Sequence, residues 1–200
     1  MRLLLVRHGQ TDYHDPKRAQ GWADIPLNAT GRAQAAALGK ALEGEKIDRV
    51  IVSPLGRAQE TARAVGRPYE TDPRLKERNY GEWEGRDFKA TNDVIAEDAR
   101  SRGVPLSEGR PPGGESLADV WTRMQPVIEE LRRSEGTTLI VAHGGVVGTI
   151  VAELIRATPE TIFSFHLTSC SITELEFRPD AHFLLKRLSE PPSDDPIFRE

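Results

Sequence analysis

Two histidines of this 200-residue chain stand where short apolar runs end. His8 follows the run 2–6 with Arg7 between them, and His143 follows the run 137–142 directly. An imidazole titrates near neutral pH, so it can serve as a nucleophile or a general base there. Apolar runs of this length predict buried strands, and ligands of open α/β sheets bind beyond the carboxyl ends of the strands. If the two strands are neighbours, both histidines face one crevice.

Arginines accompany these histidines. Arg7 precedes His8, and Arg57 is expected in the first turn of the helix that follows a third apolar run, 50–52. Guanidinium groups match the oxygens of a phosphate two at a time, which an ammonium group cannot do. The chain as a whole carries a net charge of -4, so a local cluster of cations predicts an anionic ligand.

Each feature also has an ordinary structural explanation when it is taken alone. A histidine after a strand is most often a hydrogen-bonded loop residue, and an arginine in a first helical turn is usually a solvated surface charge. Paired histidines could indicate a metal, but the chain has no His-Glu-x-x-His pattern. Serine-hydrolase G-x-S-x-G and P-loop G-x-x-x-x-G-K-[ST] patterns are absent from the sequence as well. We therefore expect no metal.

The elements that position these residues follow an alternating pattern. We predict strands from the apolar runs and from a hairpin around the turn 178–181, and helices from the capping signals and the apolar spacing. The predicted strands are 2–6, 50–52, 137–142, 171–177 and 182–188, and the predicted helices begin at Asn28, Ser53-Pro54, Ser116 and 144. This alternation indicates an α/β fold with helices on both faces of the sheet, a three-layer sandwich.

Two segments lack a strong periodic pattern. Residues 87–115 are charged and then rich in proline and glycine, so we predict an excursion over the main body that acts as a lid. Residues 189–200 are predicted to form a loose tail after a single domain that covers 1–188.

Composition excludes several classes of function. Lys and Arg number 27 against 31 Asp and Glu, which disfavours a nucleic-acid partner. The single cysteine, Cys170, rules out a disulfide framework. No apolar run approaches the roughly 20 residues that span a bilayer, and the apolar stretch at the N-terminus is too short for a signal peptide. We expect a cytoplasmic protein without a membrane partner, and the sequence leaves its oligomeric state open.

The segment LLLVRHGQT at 3–11 resembles the signature of the histidine phosphatase superfamily, which includes the cofactor-dependent phosphoglycerate mutases. Further blocks follow in the order of that family and cover most of residues 2–177. They lie at 20–27 and 31–35, at 53–62, at 75–85, at 112–116 and at 141–145. A lone Arg-His-Gly triplet is weak evidence, whereas six blocks in register are strong.

The resemblance implies a six-stranded, mostly parallel sheet with a lid over the strand ends, and it implies roles for particular residues. His8 would be the nucleophile that becomes a phosphohistidine, and Glu77 would donate and accept the proton. Arg7, Arg57 and His143 would form the phosphate pocket. Further substrate contacts would come from Gln10, Thr11, Gln20, Gly21, Gly144 and, beside the acid, Arg78 and Tyr80. No cofactor is implied, because cationic side chains take the part of a metal.

One position departs from the family pattern. Members often have asparagine six residues after the nucleophile, where this chain has His14. Asparagine is neutral and both donates and accepts hydrogen bonds, whereas histidine is bulkier and can carry charge. We retain His14 as a candidate substrate contact.

Three functions compete. The first is a metal-independent phosphomonoesterase of the family's broad small-metabolite branch, acting on a small phosphorylated metabolite. The second is a mutase-type isomerase, whose known members carry clustered lid arginines; those here, Arg100, Arg102 and Arg110, are dispersed. The third is a catalytically dead phospholigand-binding domain, which predicts loss of His8 or Glu77, yet both are present. The sequence favours the phosphomonoesterase.

Overall fold

The first strand, β1, lies in the interior of a six-stranded sheet in this computed structural model, which describes residues 1–178 and 183–198. The strand order is β3-β2-β4-β1-β5-β6. The strands are β1 Arg2–Arg7, β2 Arg49–Val52, β3 Glu70–Thr71, β4 Thr137–Ala142, β5 Ile172–Phe177 and β6 Phe183–Glu190. Four apolar residues of β1, Leu3 to Val6, are fully buried, as expected of a strand covered on both faces.

The pairing of the strands is mostly parallel. β1 runs parallel to β4 with Arg7 opposite Ala142, and β4 and β3 both run parallel to β2. β5 and β6 add an antiparallel edge beside β1. The predicted six-stranded, mostly parallel sheet is confirmed, and the parallel register brings the carboxyl ends of β1, β2 and β4 together.

Helices cover both faces of the sheet. They are α1 Ala29–Ala41, α2 Gly56–Val65, α3 Phe88–Ser101, α4 Leu117–Arg132 and α5 Gly144–Leu154. Leu4 and Val6 of β1 pack in one core cluster with α1 and α2, whereas Leu3 and Leu5 pack in another with α4 and α5. This split follows the two-residue alternation of side chains along a strand, and it confirms the three layers.

Local capping signals place two of the helices as predicted. Asn28 accepts a hydrogen bond from Gly31 N at 2.9 Å and begins α1. Ser116 begins α4 with a reciprocal capping box to Asp119. Ser53, however, does not cap α2, which begins at Gly56 after an N-cap at Leu55 that makes no side-chain bond.

The chain ends differ from the predicted loose tail. β6 continues to Glu190, and Phe198 is buried in the core cluster of α1 and α2. Gln34 of α1 also donates from Nε2 to the Ile197 carbonyl at 2.6 Å. Phe198 and Ile197 therefore attach this end of the described chain to α1, whereas Ser193, Asp194 and Asp195 before them are exposed. The predicted turn residues 179–181 and His182 lie outside the described residues.

None of the helices in residues 1–178 and 183–198 has both the length and the apolar character that a membrane crossing requires.

Candidate active site

Three polar residues follow the ends of adjacent strands and line one edge of the sheet. Ser53 is the first residue after β2, His143 is the first after β4, and His8 is the first after β1. The ring centroids of His8 and His143 are 5.1 Å apart, and His143 Nε2 lies 2.7 Å from Ser53 Oγ. The strand register therefore brings the two histidines into one crevice, as the sequence predicted.

The hydrogen bonds of His8 define its tautomer. His8 Nδ1 lies 2.8 Å from the Gly9 carbonyl, which can only accept, so Nδ1 carries the proton. Nε2 then keeps its lone pair, and it accepts from Arg57 Nε at 3.2 Å. Burial lowers the pKa of His8 well below its usual value, and the charges of Arg57, His143 and Arg7 lower it further. His8 is thus held neutral with Nε2 unprotonated, the form that a nucleophile needs.

Arg57 is fully buried although it is a cation. Its side chain donates to His8, to the Ala23 carbonyl at 2.8 Å and to the Gly21 carbonyl at 2.7 Å. Burial lowers the pKa of Arg57 to about 10, while the carboxylates of Glu77, Asp24 and Glu84 oppose that shift. The guanidinium therefore remains charged at neutral pH, and two carbonyls fix its plane beside the nucleophile.

His143 is also fully buried, and burial followed by the charges of Arg57, Arg7 and Arg123 lowers its pKa well below the usual value. Its Nδ1 has no hydrogen-bond partner among the described residues. When the Ser53 hydroxyl donates to Nε2, Nδ1 carries the ring proton and can donate it. A buried donor without a partner is costly, so this atom suits an anion oxygen bound in the crevice.

Arg7 is held by two contacts at the other side of His8. Its Nη1 donates to the Leu167 carbonyl at 2.6 Å, and its Nη2 donates to His14 Nε2 at 2.7 Å. Since a guanidinium only donates, His14 accepts this bond at Nε2, while His14 Nδ1 lies 3.0 Å from both the Thr11 backbone N–H and Thr11 Oγ1. His14 therefore orients Arg7, which is a task that an asparagine oxygen could also perform.

Side-chain hydrogen bonds connect His14 to Gln20 through Thr11. His14 Nδ1 lies 3.0 Å from Thr11 Oγ1, which donates to Gln20 Oε1 at 3.2 Å. Gln20 Nε2 is left buried without a partner among the described residues. Gln20 thus presents a second unpaired donor, as His143 does. Gln10 differs, because its side-chain oxygen accepts from Asn28 Nδ2 at 3.0 Å and supports the start of α1.

Glu77 lies in an irregular segment, and both carboxyl oxygens accept from backbone N–H groups. Arg78 N donates to Oε1 at 2.9 Å, and Gly145 N donates to Oε2 at 3.1 Å. A Cβ atom at Gly145 would lie 2.4 Å from Oε1, so only glycine lets the carboxyl group approach the N-terminus of α5. At the preceding Gly144, a Cβ atom would lie 3.7 Å from Arg7 Nε. These contacts place the predicted acid beside the strand end that carries His143.

Arg78 and Tyr80 do not have the surroundings expected of substrate contacts. Arg78 is buried and donates to the Gly109 carbonyl at 2.9 Å and to the Glu115 carbonyl at 2.7 Å. Tyr80 is buried against Ala19 and Ile95, and burial raises its pKa to about 12. These contacts attach both side chains to the protein around the segment 87–115, and contact with substrate stays a prediction for them.

The sequence does not indicate several contacts of the candidate site. The Ser53-Pro54 pair predicts a helix cap, whereas the position of Ser53 after a strand on the same edge is the signal for a partner of a histidine. Leu167 and Arg123 contribute contacts to Arg7 and to the segment around Glu77. No spacing in the sequence indicates these, since they come from distant segments. No group of three or more His, Cys, Asp or Glu within the described ranges is arranged to hold a metal.

Comparisons with known proteins agree with this geometry. A family model described as the histidine phosphatase superfamily, branch 1, matches residues 3–190. A 2,3-bisphosphoglycerate-dependent phosphoglycerate mutase 2 of Gloeobacter violaceus is 33% identical over 193 residues, which cover 90% of this chain and 88% of the relative. A glucosyl-3-phosphoglycerate phosphatase of Mycolicibacterium vanbaalenii is 35% identical over 167 residues, covering 77% and 74%.

A solved structure shows the same architecture. The alpha-ribazole phosphatase of Shigella flexneri superimposes with a TM-score of 0.84 at 29% sequence identity, covering 96% of this chain and 97% of its own. The span that the family model matches, 3–190, includes all but the first residue of β1, all of β2 and β4, and the segment that carries Glu77. The chain therefore belongs to branch 1 of the histidine phosphatase superfamily and is an enzyme of the histidine phosphatase type.

Proposed function

We propose that the protein is a phosphomonoesterase that hydrolyses small phosphorylated metabolites through a phosphohistidine on His8, without a metal. One observation carries the proposal: His8 is buried, neutral and oriented by Gly9, with the lone pair of Nε2 turned toward Arg57. That is the state of an imidazole prepared to attack phosphorus.

The reaction proceeds in two displacements. His8 Nε2 bonds to phosphorus as the bond from phosphorus to the ester oxygen breaks. The carboxylic acid of Glu77 gives its proton to that oxygen, and the alcohol leaves. Water then attacks the phosphohistidine, Glu77 takes a proton from the water, and the bond between nitrogen and phosphorus breaks with its electrons returning to Nε2. Inorganic phosphate leaves, and both residues regain their starting states.

Cationic and neutral donors stabilise the transferred phosphoryl group. Its charge is spread over three oxygens in the transition state, so positioned donors contribute a large part of catalysis. Arg7 and Arg57 supply the positive charge, and His143 Nδ1 and Gln20 Nε2 supply the buried donors. With these groups in place, the reaction we propose needs no divalent cation.

The relatives include a mutase as well as phosphatases, so hydrolysis needs its own support. It comes from the arginines of the segment 87–115, the proposed lid. Arg100 pairs with Glu97, Arg102 with Asp98 at 2.7 Å, and Arg110 with Asp119 at 3.1 Å. Mutase action requires cations that hold the carboxylate of a glycerate while the phosphate moves. Because the three arginines already pair with neighbouring carboxylates, they are poorly placed to hold the carboxylate of a glycerate. This favours hydrolysis over isomerisation.

The test is a panel of phosphomonoesters assayed for release of inorganic phosphate in the presence of EDTA. We expect turnover of several sugar, glycerate or amino-acid phosphates, no inhibition by the chelator and competitive inhibition by vanadate. Rapid quenching with labelled substrate should show acid-labile label on His8, and His8→Asn should lose label and turnover together. Chelator-sensitive turnover, or label on another residue, would contradict the proposal.

A further inference from the structure

An ion pair behind the candidate acid holds the segment that carries it. Arg123 of α4 pairs with Glu115 through Nε and Nη2, both at 3.0 Å. The same guanidinium donates from Nη1 to the Lys76 carbonyl at 2.9 Å and to the Arg74 carbonyl. A longer bond of 3.4 Å runs from Nη2 to the Glu77 carbonyl. The Arg123 side chain thus contacts the backbone carbonyl of Glu77 and two backbone carbonyls just before it.

Glu115 completes the attachment on the other side of Glu77. Its Oε2 accepts from Asn79 N at 2.9 Å as well as from Arg123. We call residues 74–79 the acid strap; it passes from one short 3₁₀ turn, Pro73–Leu75, toward another, Gly81–Trp83. Beyond the turn at its start, the strap is irregular, so its conformation depends on tertiary contacts. Both partners of the ion pair are about one-fifth exposed, which limits solvent screening.

We propose that the Arg123–Glu115 pair is a positioning device that fixes the carboxyl group of Glu77 for proton transfer to the leaving oxygen. The proposal rests on the proposed function, in which Glu77 is the acid. Neither member makes a hydrogen bond described above to His8, Arg7, Arg57 or His143 of the candidate phosphate pocket, although the charge of Arg123 is the last of several that lower the pKa of His143. The pair therefore acts mainly on the protonation of the leaving group.

This division predicts a dependence on the leaving group. An alkoxide is a poor leaving group and needs the proton of Glu77 during bond cleavage. A p-nitrophenolate leaves as a stable anion and needs it little. General acid catalysis contributes about 10²- to 10⁴-fold, and misplacement by an ångström can cost about 10²-fold. A loosened strap should slow phosphorylation of His8 by the alkyl ester and spare phosphorylation by the aryl ester.

The experiment compares Arg123→Gln with wild type on glycerol 2-phosphate and p-nitrophenyl phosphate. We expect kcat/KM to fall about 10- to 100-fold for the alkyl ester and less than about threefold for the aryl ester. We compare kcat/KM because it ends with phosphorylation of His8, whereas kcat also contains the hydrolysis step in which Glu77 acts as the base for both esters. Arg133→Gln is the matched control, because Arg133 ends the same helix and pairs with Glu129 at 3.2 Å on the exposed surface. Glu115→Gln keeps an acceptor for Asn79 N and provides a second variant if Arg123→Gln fails to fold.

A double variant separates positioning from a general loss of structure. If Arg123 acts only through Glu77, adding Arg123→Gln to Glu77→Gln lowers kcat/KM for glycerol 2-phosphate by less than about twofold. A further fall of about tenfold, or equal losses on both esters in the single variant, would overturn the positioning proposal. If Glu77→Gln itself shows no dependence on the leaving group, Glu77 is not the acid, and the proposed function fails at that residue together with this inference.

Discussion

At the scale of single residues, the site depends on the direction of hydrogen bonds more than on the residue types. His8 donates from Nδ1 to a carbonyl and accepts at Nε2, and His14 accepts from Arg7 at Nε2. The two nitrogens of His8 have defined tasks because the carbonyl can only accept and the guanidinium can only donate. The family pattern predicted that these residues would meet, but not which atom of each would face the ligand.

Arg57 offers the sharpest substitution at this scale. Lysine at this position keeps a positive charge but cannot contact His8, Gly21 and Ala23 at once. A hydrogen bond from a charged group contributes about 1.5–3 kcal/mol, so Arg57→Lys should lower kcat/KM about 10- to 150-fold and weaken inhibition by phosphate. Steady-state kinetics measure both. Arg63→Lys, an exposed position on the same helix, is the control; an Arg57→Lys enzyme of near-normal efficiency would refute the assignment.

The two buried histidines make the stability of the ligand-free protein depend on pH. Burial keeps His8 and His143 neutral in the folded state, whereas the unfolded chain protonates them near pH 6.5. The unfolded state then binds more protons, so stability falls as the pH drops below that value. The slope is at most about 1.4 kcal/mol per pH unit for each histidine.

Urea unfolding of wild type and His8→Asn at pH 7.5 and 5.5 measures this effect, because contributions from carboxylates are common to both proteins. The free energy of unfolding should fall more in the wild type than in the variant. Identical losses would mean that His8 is protonated in the folded protein.

At the scale of elements, predictions succeeded where the signal is local and failed where a distant residue competes. Asn28 and Ser116 cap their helices through bonds to residues three positions on, which spacing alone predicts. Ser53 precedes a proline and looks like a cap, but its hydroxyl lies against His143, 90 residues away in sequence. The two-residue strand β3 is exposed at the sheet edge and carries no apolar pattern. The role of Arg123 could not be predicted from the sequence, because the backbone carbonyls that it contacts belong to a distant segment.

Arg78 tests the attachment of the proposed lid to the body. Arg78→Met keeps much of the side-chain volume but removes the donors to the Gly109 and Glu115 carbonyls. We expect the free energy of unfolding to fall by about 2–4 kcal/mol, because two charged hydrogen bonds are lost and their buried acceptors stay unpaired. Amides in residues 105–116 should lose protection in hydrogen exchange.

Arg86→Met is the control for this variant, since Arg86 is exposed and lies near the same segment. A rise in KM without any change in stability or exchange would support Arg78 as a substrate contact.

At the scale of the whole molecule, the balance between hydrolysis and isomerisation is decided by how well the crevice excludes water. With the lid arginines engaged by neighbouring acids, we expect 3-phosphoglycerate and a bisphosphoglycerate primer to yield inorganic phosphate faster than 2-phosphoglycerate. Parallel assays of the two products measure the ratio. If the rate of isomerisation exceeds the rate of phosphate release by about tenfold, the protein is a mutase and the proposal of a phosphatase is wrong.

The position of β1 in the sheet also governs when activity can arise during synthesis. β1 is translated before both of its partners, β4 and β5, at Thr137–Ala142 and Ile172–Phe177. Pairing of such distant segments comes late, after the cost of closing long loops has been met. His8 therefore lacks its orienting neighbours until these two strands have been translated. A nascent chain that stops short of β4 carries the nucleophile but no crevice, so we expect it to be inactive toward phosphoesters.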